Sequence, residues 1–111
     1  ICPLSNIFIH NALPPISLMR ENNLDIIVGT DSLSSNDDLD IVKELVCIHE
    51  NFPEVPMAEI LTWATLNGAR FLKKDDVMGS LEAGKKPGIV RITNIDENGC
   101  VTAESSSERI R

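Results

Sequence analysis

Asp25-Ile26-Ile27-Val28-Gly29-Thr30-Asp31-Ser32 is the stretch on which the fold turns. Ile26, Ile27 and Val28 are three consecutive β-branched residues, with no polar side left for water. The run predicts a strand buried on both faces, the kind found in parallel sheets. Gly29 lets the backbone turn tightly, and Asp31 then stands just beyond the strand's C-terminal end. In α/β folds that end faces the ligand crevice. A carboxylate there can bind a hard or borderline metal, or orient a metal-bound water and move its proton. The same spacing also suits a turn capped by Asp31 with its neighbours Ser32 and Ser34. Spacing alone leaves both readings open.

Upstream, Ile1-Cys2 reads as the stub of a strand that Pro3 ends. Pro14-Pro15 opens a helix through Ile16, Met19 and Arg20, which stops near Asn22-Asn23. Downstream, the polar loop Thr30 to Asn36 leads to a second helix capped by Asn36 or Asp37. Ile41, Val42, Leu45 and Ile48 give that helix one apolar stripe, and Phe52-Pro53 ends it. Pro56 opens a third helix, with Met57, Ile60, Leu61 and Ala64 on one face. Asn67-Gly68 should break or bend it, with Ala69 to Leu72 as a further turn.

After a charged stretch from Lys73 to Lys86, Gly88 to Thr93 predicts another strand. Asn98-Gly99 is a strong hairpin signal, so Cys100-Val101-Thr102 should return antiparallel. The polar residues Ala103 to Arg111 should be loose unless docked. The chain thus begins as a βαβα unit, which requires a parallel sheet covered on both faces. Two parallel strands do not make a stable sheet. Either a homodimer through exposed sheet edges completes it, or further strands lie elsewhere in a longer protein. The opening at Ile1 inside an apolar segment, without a Met, favours the second expectation, although a trimmed chain would look the same.

Composition narrows the function. The 111 residues carry a formal net charge of -7, which repels phosphate backbones and anionic lipid surfaces. No nucleic-acid or membrane partner is expected, and no apolar run reaches the roughly 20 residues of a membrane span. The acidic clusters at Asp37-Asp38-Asp40 and Asp75-Asp76 read as helix-entry or loop carboxylates. Three cysteines, Cys2, Cys47 and Cys100, fit neither a disulfide framework nor a zinc ribbon, and point to a reducing, cytoplasmic setting. Cys47, among apolar residues of a helix, reads as a buried thiol. Ser32, Ser34 and Ser35 lack a nucleophile elbow, and Lys85-Lys86 lacks the glycine-rich loop of a phosphate cradle.

Four elements in order carry a family resemblance. Cys2-Pro3-Leu4-Ser5-Asn6 resembles the Cys-Pro-x-Ser-Asn element of the deaminase and chlorohydrolase branch of the metal-dependent amidohydrolases. Gly29-Thr30-Asp31-Ser32-Leu33-Ser34-Ser35-Asn36 resembles that branch's Gly-Thr-Asp-Ser-x-x-Ser-Asn element. Trp63 to Arg70 is similar to its Ala-Thr-x-Asn-Gly-Ala helix, and Gly79 to Lys85 to its Gly-Ser-Leu-x-x-Gly-Lys turn. Each is modest alone; together they span most of the chain. One departure is Lys86-Pro87-Gly88-Ile89-Val90, where the family usually has Ala-Asp-Leu-Val.

The resemblance implies an α/β fold. It would be the last βαβα portion of a (β/α)8 barrel, incomplete here, plus a C-terminal β-hairpin from the small β-sandwich domain. Residues 1–75 would belong to the barrel and 76–111 to the composite sandwich. The intact parent would be a hydrolase that deaminates or dechlorinates a small, cyclic, nitrogenous substrate through water activated by zinc or iron. Asp31 would be its catalytic residue and metal ligand, while His10 and Asn6 would line the substrate pocket.

The family's other metal ligands are histidines, beginning with a His-x-His pair. This chain has only His10 and His49, so no metal is expected on it alone and the isolated piece should be inactive. Its principal partner would be the N-terminal part of the same protein. His49 reads as a solvated residue at a helix C-terminus. Trp63 reads as packed against the absent barrel body or the sandwich. The contrasting hypothesis is a free-standing α/β module that binds a partner or itself without catalysis.

Overall fold

The computed structural model describes every residue from Ile1 to Arg111. Five helices come first: α1 (Pro3–His10), α2 (Ile16–Glu21), α3 (Ile41–Asn51), α4 (Met57–Ala64) and α5 (Leu66–Phe71). Two strands follow, β1 (Val90–Thr93) and β2 (Ser106–Arg109).

Pro3 ends the extended stub as expected, but it also starts a helix that was not expected. Its missing N–H costs nothing in a first turn, and α1 runs to Asn11, whose left-handed φ of 50° closes it. Pro3 and Ser5 face inward, while Ile7, Phe8 and Ile9 are exposed.

The segment from Leu24 to Asp31 is extended without belonging to a regular sheet. Ile26 and Val28 are buried and Ile27 is half-buried, so one face is fully covered where two were expected. The Ile1 nitrogen donates to Ile27 O at 2.6 Å, and Gly29 N–H donates to Ile1 O at 2.9 Å. Two bonds from one residue to positions flanking Val28 are the parallel pattern. The parallel pairing therefore exists, reduced to one bridge.

The other edge of this segment is closed from within the chain. Val28 N–H donates to Trp63 O at 3.2 Å, and the Asn67 side-chain amide donates to Ile26 O at 2.8 Å. That edge is thus not open in the chain. Trp63 itself is 4% exposed inside the chain's own core, which it shares with Val101, so it does not wait on an absent barrel body, the first of the two alternatives expected.

Helix α3 is capped by Asp40, whose Oδ1 accepts from Val42 N–H at 2.9 Å, and not by Asn36 or Asp37. The Asn36 side chain is engaged elsewhere, with Thr30 and Glu44. Val42, Leu45 and Ile48 are buried as the stripe predicts. Between α4 and α5 the break falls at Thr65, and Asn67-Gly68 lies inside α5. The Thr65 hydroxyl bonds back to Leu61 O at 2.7 Å, the competition with helical backbone that Thr brings. Gly79 has φ 89° and approaches α5 so closely that an added Cβ would sit 2.6 Å from that of Ala69.

The strand near Gly88 is present as β1, but its partner is β2 and not residues 100–102. The pairing is antiparallel, from Val90 opposite Arg109 to Thr93 opposite Ser106. Val101 is drawn into the core at 4% exposure, which takes its segment away from the ladder. Asn98-Gly99 does lie in a turn, closed by Asp96, whose Oδ1 accepts from Asn98 and Cys100 N–H at 2.8 Å each. The supposedly loose end is ordered by cross-strand contacts, including Arg91 with Glu108 and Thr93 with Ser106.

The core joins Ile16, Ile26, Val28, Val42, Leu45, Ile48, Val55, Ile60, Trp63 and Val101. The accessible surface is 7359 Å², against about 6,000 Å² for a compact monomer of this mass. The excess is partly apolar, with Phe8, Phe71, Leu72 and Leu81 largely exposed. No helix is long and apolar enough to cross a membrane.

Candidate functional site

Asp31 sits where the extended segment ends, with φ 58°. That left-handed conformation is one that Asp tolerates better than most residues. Its carboxylate is exposed but held on one side. Ser5 Oγ lies 2.9 Å and Ser35 Oγ 3.1 Å from Asp31 Oδ2, and the two hydroxyls lie 2.8 Å apart. Each hydroxyl has one proton to give, so both can point at the carboxylate. Ser5 and Ser35 are both buried, and Ser5 is fixed in the first turn of α1. Asp31 Oδ1 makes no hydrogen bond within the chain, and the residue is exposed.

The turn-cap alternative, with Ser32 and Ser34 bound to the carboxylate, is not what forms. Ser32 Oγ instead accepts from Ser34 N–H at 3.3 Å.

Beneath this loop lies Glu44, a residue the sequence reading passed over. It is fully buried on α3. Its Oε2 accepts from Leu4 N–H at 2.9 Å and its Oε1 from the Asn36 amide at 2.7 Å. The Asn36 amide also donates to Thr30 O at 2.9 Å. Burial pushes the Glu44 carboxyl above its ordinary value, opposed by the Leu4 N–H and the Asn36 amide. A signal was present in the sequence. Glu44 occupies the i+3 place of the stripe Ile41, Leu45, Ile48, where an apolar residue would be expected.

The other named residues are not brought to the carboxylate by hydrogen bonds. Asn6 follows Ser5 on α1, half-buried, and its side chain makes no hydrogen bond. His10 ends α1 in solvent, about 7 Å along the axis from Ser5 at the usual helical rise. His49 is half-buried in the last turn of α3, with Nδ1 enclosed and unpartnered, so it is not the solvated residue expected. Cys47 is buried, and its thiol is pushed up by burial and then by Glu44 and Glu50, the opposite of what activates a thiolate.

No three side chains of His, Cys, Asp or Glu come together in a metal-binding group. Asp31 offers one free carboxylate oxygen, whereas a zinc site needs about three protein donors. The residues of this chain do not by themselves fit a metal.

The chain belongs to the amidohydrolase family, whose profile matches residues 1–103. It is 36% identical over 98 residues to a 5-methylthioadenosine/S-adenosylhomocysteine deaminase of Moorella thermoacetica, covering 82% of this chain and 23% of that protein. It is 29% identical to a 5'-deoxyadenosine deaminase of Methanobrevibacter smithii, covering 97% of this chain and 26% of the relative. It is 27% identical to an S-triazine hydrolase of Gordonia rubripertincta, over 81% of this chain and 20% of that one.

Among solved structures, an adenosine deaminase of Xanthomonas campestris with bound zinc superposes with a TM-score of 0.71 at 32% identity. That match covers 80% of this chain and 22% of the deaminase. Family and structural match together give an α/β fold of the TIM-barrel type. The chain spans about a quarter of the length of the curated relatives it matches.

Proposed function

We propose that these residues form the C-terminal part of a metal-dependent amidohydrolase in which Asp31 is the proton-transfer carboxylate. Residues 1–75 would complete the barrel and 76–111 contribute to the small sandwich. The observation that carries the reading is the asymmetry of Asp31. One oxygen is gripped by Ser5 and Ser35, and the other stands free at the end of a parallel-paired segment. A fixed carboxylate with one open oxygen is suited to take a proton from an attacking water.

The deaminases and the S-triazine hydrolase among the relatives support a substrate with a nitrogenous ring. Water would add at a ring carbon and ammonia, or chloride, would leave. Zinc or iron would supply the activation of that water, held mainly by donors outside these residues together with Asp31. Asn6 and His10 would line the substrate side. The excess apolar surface and the quarter-length match both support a partner in the rest of the same polypeptide. Three free thiols suit a reducing, cytoplasmic compartment.

The test compares the whole reading frame with residues 1–111 alone. Ammonia release is followed from 5'-methylthioadenosine, S-adenosylhomocysteine and 5'-deoxyadenosine, and chloride release from a chlorinated triazine. The whole protein should turn over at least one of them, and its Asp31→Asn variant should keep only a small, still measurable residual rate. Residues 1–111 alone should be inactive, and ordinary turnover by that piece would sink the proposal.

A further inference from the structure

We infer that Glu44 is a positioning residue for Asp31, acting from beneath through both loops that hold it. The inference rests on the reading of Asp31 as the proton-transfer carboxylate. Glu44 makes no hydrogen bond with Asp31; it reaches that residue by two routes. Through Oε1 it holds the Asn36 amide, which also binds Thr30 O, the carbonyl immediately before Asp31. Through Oε2 it holds Leu4 N–H, next to Ser5, whose hydroxyl reaches Asp31 Oδ2.

The chemistry of the side chain explains why a carboxylate stands there. Each route presents an N–H donor, and the two donors come from segments far apart in sequence. Only an ionised carboxyl offers two acceptor oxygens in a fixed fork. A Gln of the same shape would turn one amide N–H against a donor, and a Leu would satisfy neither. Burying a carboxylate with neutral partners is costly. A purely apolar stripe would hold α3 at least as well, so helix packing alone does not account for Glu44. Tying α1 to the Asp31 loop does.

The experiment uses the intact hydrolase containing these residues, assayed on whichever of the four substrates it turns over fastest. Glu44→Gln, Asp31→Asn and the double variant are compared in kcat, KM and melting temperature. Glu44→Gln should lower kcat about 10- to 100-fold with KM changed less than about 3-fold, the size expected of a displaced reacting group. Its effect should vanish in the Asp31→Asn background, because a group that acts only through Asp31 has nothing left to position.

A folded Glu44→Gln variant with unchanged kcat overturns the inference, as does a loss that multiplies with that of Asp31→Asn. If Asp31→Asn itself keeps full turnover, the proton-transfer reading fails and takes this inference with it, a distinguishable result. Should Glu44→Gln not fold, Asn36→Ala cuts the same bridge from a half-buried position. It must then show the same loss and the same dependence on Asp31, or the inference falls.

Discussion

Ser5 Oγ lies 2.9 Å from Asp31 Oδ2, joining the first turn of α1 to a loop 26 residues later in the chain. The Cys-Pro-x-Ser-Asn and Gly-Thr-Asp elements are therefore two halves of one grip. Replacing Ser5 by Ala removes one of two hydroxyls from Oδ2 without filling space. In the intact enzyme kcat should fall about 10-fold, within the range for a lost orienting bond. Steady-state kinetics check this, and an unchanged kcat would assign Ser5 to packing alone.

Asn67 binds Ile26 O at 2.8 Å and closes the free edge of the extended segment. Asn67→Ala leaves that carbonyl without its partner. Urea unfolding should show a loss of about 1–3 kcal/mol, the cost of stranding a buried acceptor. A loss below about 0.5 kcal/mol would mean that water replaces the amide.

Gly79 combines φ 89° with a close approach to Ala69. Gly79→Ala should therefore destabilise by more than the roughly 1 kcal/mol of a glycine replacement at positive φ alone, because strain and overlap add. Gly84, with φ 93° and open space around it, is the control: Gly84→Ala should carry the backbone cost alone. Thermal melts of the two variants give the comparison, and equal losses would refute the close contact.

Glu44 also predicts a pH dependence. Burial raises its pKa in the folded chain, so the unfolded chain gives up this proton first as pH rises. The Glu44 contribution to stability is complete below its unfolded value near 4.5 and is lost as pH climbs through the folded value. Wild type should therefore lose stability relative to Glu44→Gln as pH rises above about 4.5, until the folded carboxyl has ionised. Asp38 and Glu82, whose pKa values are lowered by Lys43 and by Ser80 with Lys85, favour the opposite trend but cancel in the difference. Denaturant midpoints at several pH values decide it, and a constant gap would disprove the shift.

Much of this was legible in the chain, for physical reasons. Val42, Leu45 and Ile48 declared their buried face through helical period, and Ile26 to Val28 declared an extended, buried run. Gly29 and the strand end say where the Asp31 carboxylate emerges, but spacing leaves its role open between metal chemistry and a turn cap. Helix α1 was missed because Pro3 was read only as a stop, though it serves equally as a start. Strand β2 was missed because Ser106 to Arg109 are exposed on both faces, and such a strand shows no alternation. Glu44 was missed because a single acid in a helix usually faces water. Only the contacts with Leu4 and Asn36, distant in sequence, reveal that it faces inward.

The bonds from Trp63 O and Asn67 to Val28 and Ile26 have one more effect. A bare β-edge is an invitation to any passing extended chain. Here the invitation is already taken up by the junction of two helices. A newcomer, whether a second copy or a stray peptide, would first have to evict an amide and a carbonyl. The helix junction guards this margin in the chain alone, and a barrel neighbour arriving there would have to displace the same two groups.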